Sequence, residues 1–289
     1  MLIKGFINTE NKKKIREIDE HYIKQESEHH SKKLRYLGLP SEGLYDIITW
    51  NRYIEHFTAV EMGRRSDPST KQHLLVSRSM TLGYYNKMTL LRGEINQIIL
   101  DGVDSVGAEL VYPFELINLD YGGTLLYKDR IRIEALRRLV LNQRKTDFLL
   151  LLTCLTREYD TEELVETQER IIQEVISFTP ENETILRKYY ETVNAEDSLL
   201  RQIQHVHFLI KYLGEENYYD VRCYPAIHYI GSNKTELLHY IIRFRYQEGA
   251  STRVISKQTL LDLLSQEAFF LGEQELEEIG NPLFFADMG

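Results

Sequence analysis

Cysteine is scarce in this sequence. Cys154 and Cys223 are the only two in 289 residues, too few for a disulfide framework or for a zinc site by themselves, so a reducing, cytoplasmic setting is expected. No window approaches the roughly 18 uninterrupted apolar residues that a membrane-spanning helix needs. The opening Met1-Leu2-Ile3-Lys4 lacks the apolar run and small-residue cleavage site of a secretory signal. Several catalytic signatures are also missing. Without a Gly-x-Ser-x-Gly elbow, a phosphate-cradling Gly-x-x-x-x-Gly-Lys loop or a Gly-x-Gly-x-x-Gly turn, the esterase, kinase, NTPase and dinucleotide-binding readings lose their support. No triplet glycine or sustained heptad is present, and 19 tyrosines with 11 phenylalanines argue against disorder. Metal ligation is not expected either. His29 and His30 are adjacent in a charged stretch, and His205 and His207, two apart on a helix, point to different faces, unlike ligands at i and i+4.

What remains is a globular composition, with 35 Lys+Arg against 44 Asp+Glu and 43% hydrophobic residues. The length suits one large domain or a domain with an insertion. Charge is distributed unevenly. Between Glu158 and Leu200 stand twelve acidic residues against three basic ones, an excess equal to the net −9 of the whole chain. The stretch 128–145 is basic, carrying Lys128, Arg130, Arg132, Arg137, Arg138, Arg144 and Lys145. It reads either as a solvated helix face or as a nucleic-acid contact.

Periodicity divides the chain into alternating elements. Residues 10–33 read as a mostly exposed helix with a weak stripe at Ile15, Ile18 and Tyr22. A strand at Leu34–Leu37 runs into the turn Gly38-Leu39-Pro40-Ser41-Glu42-Gly43, where Ser41 is the expected N-cap of a helix over 42–54. A second strand, Phe57–Val60, ends at Glu61. Helix 67–82, strand Met88–Leu91, a short helix through Ile95, Ile98 and Ile99, strand Glu115–Leu119 and basic helix 129–143 follow. The most apolar run, Phe148–Leu152, predicts a central strand buried on both faces. Residues 161–214 read as a helical insertion, and Val221–Ile230 and Leu237–Tyr246 as a hairpin across Gly231-Ser232-Asn233. A short helix at 256–265 and an irregular tail close the chain. The expected fold is α/β: a doubly wound, mostly parallel, seven-stranded sheet with a C-terminal antiparallel hairpin.

Five parallel strands followed by an antiparallel strand inserted through a terminal hairpin is the order of the class I S-adenosylmethionine-dependent methyltransferases, and residues 34–248 resemble that superfamily. The resemblance is carried by strand ends. Glu61, at the tip of the second strand, stands where the family places an acid on the ribose hydroxyls. Gly93-Glu94-Ile95 is similar to the Gly-Asp-hydrophobic motif that meets the adenine. Asp120-Tyr121-Gly122-Gly123 lies where the family keeps its catalytic loop. The first motif departs from the pattern. The turn has two glycines, Gly38 and Gly43, with Pro40 and Ser41 between them. Tyr36 stands near the usual acid, for which Asp46 and Asp120 are alternatives. The domains implied are an N-terminal helical segment (1–33), a Rossmann-like cofactor-binding core (34–160), the helical insertion (161–214) and the hairpin completing the sheet (215–289).

The resemblance implies S-adenosylmethionine as cofactor, held by Gly38, Pro40, Ser41, Gly43, Glu61, Gly93, Glu94 and Ile95, with Asp120 and Tyr121 facing the substrate. Asp120-Tyr121 is similar to a degenerate Asp-Pro-Pro-Tyr loop, which suggests transfer to an amino group of a nucleic acid or nucleotide. Carbon-5 cytosine chemistry needs a loop cysteine, and Cys154 ends a buried strand while Cys223 begins the hairpin. A second reading is a methyltransferase-like protein without transfer activity, a recognition or assembly subunit that binds a protein partner through the acidic insertion 161–214. The tyrosines of the hairpin region, beside Arg243 and Arg245, read either as base-stacking faces or as hairpin packing.

Overall fold

The computed structural model describes residues 9–41, 43–62, 68–125, 131–156, 198–231 and 234–248, together with isolated positions between 169 and 191 and the strand residues Phe269 and Phe270. Most of the acidic stretch, Lys128, Arg130, Tyr189, Tyr190, the expected helix at 256–265 and the tail lie outside the described residues.

Five apolar segments form parallel strands: β1 (Leu34–Gly38), β2 (Ile54–Glu61), β3 (Met88–Arg92), β4 (Leu116–Asp120) and β5 (Phe148–Leu155). β6 (Tyr219–Cys223), β7 (Ile227–Ile230) and β8 (Glu236–Tyr246) complete the sheet, with β9 (Phe269–Phe270) at its edge. Neighbours run β3-β2-β1-β4-β5-β8-β7-β9, and β6 also pairs with β8. β8 is antiparallel to β5, β6 and β7. Thus β6 and β7 share one position, a strand interrupted at Tyr224-Pro225-Ala226 because proline brings no N–H to the ladder. The seven expected positions are filled, and β9 adds a short strand parallel to β7.

Helices cover both faces. On one lie α1 (Glu10–His30), α2 (Tyr45–Trp50) and α3 (Pro68–Thr81), and on the other α4 (Ile95–Asp101), α5 (Ile131–Asn142) and α6 (Ser198–Glu216). Strand alternation feeds the two cores. Tyr36, Leu149 and Leu151 pack toward α1 and α2, while Leu37, Leu150 and Leu152 pack toward α4, α5 and α6. No helix among the described residues is long and apolar enough to cross a membrane.

Two local expectations need correction. α1 is not mostly exposed: it buries Ile15, Ile18, Tyr22 and Ile23, and with them Lys12, Arg16, Asp19 and Glu26. These charged residues sit on the apolar face, so the stripe looked weak. Ser41 does not cap the next helix. α2 starts only at Tyr45, its N-cap is Leu44 in the left-handed region at φ 50°, and no side chain caps it. Ser41 instead accepts the Leu44 N–H through its backbone carbonyl at 2.9 Å. The C-terminal part of the 161–214 segment, in α6, is integral to the fold, since Ile203, Val206, Leu209, Ile210 and Leu213 are buried in the second core.

Candidate active site

β1 and β4 are neighbours, yet the chain leaves β1 toward β2 on one side, and β4 leads to β5 on the other. Such a reversal opens a crevice beyond the carboxyl ends of the strands, where α/β sheets bind ligands. Here it is a small cleft, open at its mouth, with about 40 Å³ of free space, room for a few waters. Its wall is built from Ser41 after β1, Asp46 of α2, Asn118 and Asp120 at the end of β4, Thr153 of β5 and Tyr229 of β7, with α1 laid across.

α1 supplies two cations to this cleft. Lys12 Nζ lies 3.2 Å from Asp120 Oδ2, and Arg16 Nε lies 2.5 Å from Asp46 Oδ1. Asp46 Oδ2 also accepts a hydrogen bond from Asn118 Nδ2 at 3.1 Å. Burial pushes the Asp46 carboxyl above its ordinary value, against the opposing pull of Arg16. Deeper in the cleft, His239 bridges Asp19 and Thr153 at 2.8 Å on each side. Burial, with the charges of Asp120 and Asp19 nearby, holds the Tyr229 phenol well above its usual range.

The residues expected from sequence separate into three neighbourhoods. Ser41 and Asp120 line the cleft, and so does Asp46, one of the alternative acids. Glu61 and Gly93 meet at the tips of β2 and β3, where the Gly93 N–H donates to the Glu61 carbonyl at 3.3 Å. Gly93 has φ 147°, a conformation glycine adopts at least cost. The Glu61 carboxylate has a side-chain exposure of 14% and lies 3.7 Å from Lys71. Glu94 is the N-cap of α4: its carboxylate accepts the Gln97 N–H at 3.0 Å and Asn96 Nδ2 at 2.6 Å, while Ile95 is buried as the first helical residue.

Tyr121 belongs to the third neighbourhood, the core beneath α4 and α5. It is 3% exposed, donates its hydroxyl to Asn96 Oδ1 at 2.7 Å and lies under the Arg132 guanidinium. Consecutive residues at a strand end point to opposite faces. Asp120 therefore faces the cleft and Tyr121 does not. The turn after β1 is filled by the protein itself. A side chain on Gly38 would collide with the Tyr36 hydroxyl and come within 2.9 Å of the Asn118 carbonyl, Gly43 is covered by the Tyr45 ring, and Pro40 is buried.

Burial pushes both thiols up to about 12, far from the thiolate range of a nucleophile. Sequence reasoning missed Lys12, Arg16, Asp19, Thr153 and His239, and reads Tyr229 only as one of the hairpin tyrosines. Two signals for them existed: Lys12, Arg16 and Asp19 recur at helical spacing beside Ile15 and Ile18, and His239 interrupts the apolar run Leu237–Ile242.

No family model matches the sequence, and no curated protein matches it. Among solved structures, the chain is similar to the O-methyltransferase TomG of Streptomyces achromogenes, crystallised with SAM, at 11% identity and a TM-score of 0.42 over 84% of this chain and 82% of that one. It is similar to an O-methyltransferase of Bacillus cereus in complex with SAH, at 11% identity and a TM-score of 0.40 over 83% and 84%. A third is the precorrin-6y C5,15-methyltransferase of Geobacter metallireducens, at 10% identity and a TM-score of 0.41 over 86% and 94%. At such scores the fold assignment rests on strand order and direction alone.

Proposed function

We propose that this chain is an S-adenosylmethionine-dependent methyltransferase whose substrate enters the cleft between β1, β4 and β5. The observation that carries this reading is the cleft itself, which opens at the reversal point of a parallel sheet closed by an antiparallel β8, with Asp120 and Ser41 in its wall. The residues present fit the cofactor in one respect and depart in another. Glu61, at a strand tip and still 14% exposed, is the type of acceptor that vicinal ribose hydroxyls require. The turn after β1 is occupied by Tyr36 and Tyr45, so it offers Ser41 rather than open glycine backbone.

When bound, the cofactor supplies an electrophilic methyl group on a sulfonium. The chain's own part is positioning and exclusion of water. Asp120 is the acceptor that holds an N–H or O–H of the substrate, with Lys12 exchanging partners as the substrate enters. An amino group of a nucleic acid or nucleotide suits this acceptor. Calorimetric titration with S-adenosylmethionine and S-adenosylhomocysteine tests the proposal. Micromolar binding is expected, and Glu61→Ala should weaken it about tenfold, or roughly 1.4 kcal/mol. The absence of heat at millimolar ligand would overturn it.

One observation favours the second reading, a recognition or assembly subunit without transfer activity. Lys12 and Arg16 already neutralise Asp120 and Asp46, so the cleft is electrostatically complete. In that case charge reversal across 161–197 should abolish capture of a protein partner while the fold persists.

A further inference from the structure

Three buried polar side chains with no assigned role meet in the cleft. Asp19 of α1 and His239 of β8 are each 2% exposed, and Thr153 of β5 is 4% exposed. Thr153 and His239 are directly opposed across the antiparallel ladder, and all three residues line the cleft. Asp19 Oδ1 lies 2.8 Å from His239 Nε2, and Thr153 Oγ1 lies 2.8 Å from His239 Nδ1. A histidine buried between Leu238 and Tyr240 costs desolvation unless both nitrogens are satisfied.

The chemistry of the partners sets the direction of these bonds. An ionised carboxylate only accepts, so Nε2 carries the hydrogen, Nδ1 is the acceptor, and the Thr153 hydroxyl donates to it. A carboxylate that orients an imidazole toward a hydroxyl is the arrangement by which buried bases are held ready. The Thr153 oxygen keeps acceptor capacity, and Tyr229 shares the cleft wall with it.

We propose that Asp19, His239 and Thr153 form a proton relay serving the cleft. The inference rests on the methyl-transfer reading. As the substrate's nitrogen or oxygen lone pair forms its bond to the methyl carbon, the C–S electron pair returns to sulfur. The substrate's proton passes to Thr153 Oγ1 while the threonine's own proton moves to His239 Nδ1. The positive charge brought in on sulfur thus ends on the imidazolium, beside Asp19. Thr153 touches the substrate, His239 accepts the proton and Asp19 is a positioning residue. The other charged or titratable groups lining this cleft are Lys12 and Arg16 of α1, Asp46 of α2, Asp120 of β4 and Tyr229 of β7. The two cations are paired with Asp120 and Asp46, and Asp19 is the carboxylate in direct contact with the imidazole.

Proton-coupled ¹⁵N spectra of the full chain test the relay, with the His239 signals assigned by their loss in His239→Gln. The wild type should show the Nε2–H tautomer at pH 8.5. In Asp19→Asn the proton concentration needed to form the imidazolium should rise roughly tenfold or more, and Asp19→Glu should restore much of it. An Nδ1–H tautomer in the wild type overturns the relay, because such a ring cannot accept the threonine proton. So does an imidazolium that forms at the same proton concentration with and without Asp19. Failure of S-adenosylmethionine to bind the wild type is a separate result, which overturns the methyl-transfer reading while these spectra judge the relay.

Discussion

Glu26 lies on the inner side of α1 with no exposed surface, 2.7 and 2.8 Å from the two terminal nitrogens of Arg245 and 3.2 Å from His30 Nε2. Burial alone would raise its carboxyl. Hydrogen bonds from His30 and Arg245 and the charges of Arg245 and Arg243 outweigh burial and lower it from 4.5 to about 2. A depressed acid stabilises the fold above its ordinary value and ceases to do so as pH falls through the folded one. Urea unfolding followed by circular dichroism should therefore show about 3 kcal/mol lost between pH 4.5 and 2, and Glu26→Gln should remove that slope. Asp46 has the opposite sign. Burial raises it, so its charged form weighs against folding above its ordinary value and Arg16 offsets the cost. Arg16→Met should cost about 3 kcal/mol at pH 7 and progressively less as the solution is acidified. At this scale the sequence was partly legible. Asp46 and Asp120 were marked as acids and do line the cleft, whereas Tyr121 was misplaced because a one-residue step at a strand end changes the face.

The strands were the most legible elements. Phe148–Leu152 is apolar throughout because β5 is buried on both faces, and β1 to β4 each carry enough branched and aromatic residues to stand out between helices. α1 was misjudged for a physical reason. A helix that buries its charges in ion pairs has a low hydrophobic contrast even where its face is fully packed. Ile23, with no exposed surface, measures that packing. Ile23→Ala should cost 2–5 kcal/mol by the usual scale of buried truncations. Ile48→Ala, at a site 39% exposed, should cost under about 0.5 kcal/mol in the same denaturant series. The short α2 shows the converse error. Ser41 has the composition of a cap, yet the chain reaches the helix through Leu44 in a left-handed conformation.

Over the whole molecule, strand directions could be derived because right-handed crossovers and a terminal hairpin leave few arrangements open. The cleft could not, because it is closed by contacts between residues far apart in the chain, such as Asp19 with His239 and Lys12 with Asp120. α1 is the lid of one core, and its removal would bare Trp50, Tyr36 and Leu151. A chain lacking residues 1–30 is expected to lose cooperative thermal unfolding in calorimetry and to bind a hydrophobic dye, the signature of a sheet with one face stripped. A sharp endotherm from that truncation would show that α1 is dispensable to the fold.

The separation between Asp19 and His239 also sets a schedule for synthesis. Their hydrogen bond spans 220 positions, and Arg245, the partner of Glu26, is made later still. At roughly 5–20 residues per second on the ribosome, α1 waits on the order of 10–40 s for the strand that accepts its carboxylates. Throughout that interval Asp19 and Glu26 lack the partners that β8 supplies, although Arg16 and Lys12 meet Asp46 and Asp120 earlier, so the fold cannot be locked from its beginning. Closure therefore waits until β8 enters between β5 and the segments already made, and a nascent chain halted before β8 would offer its apolar helix face to chaperones.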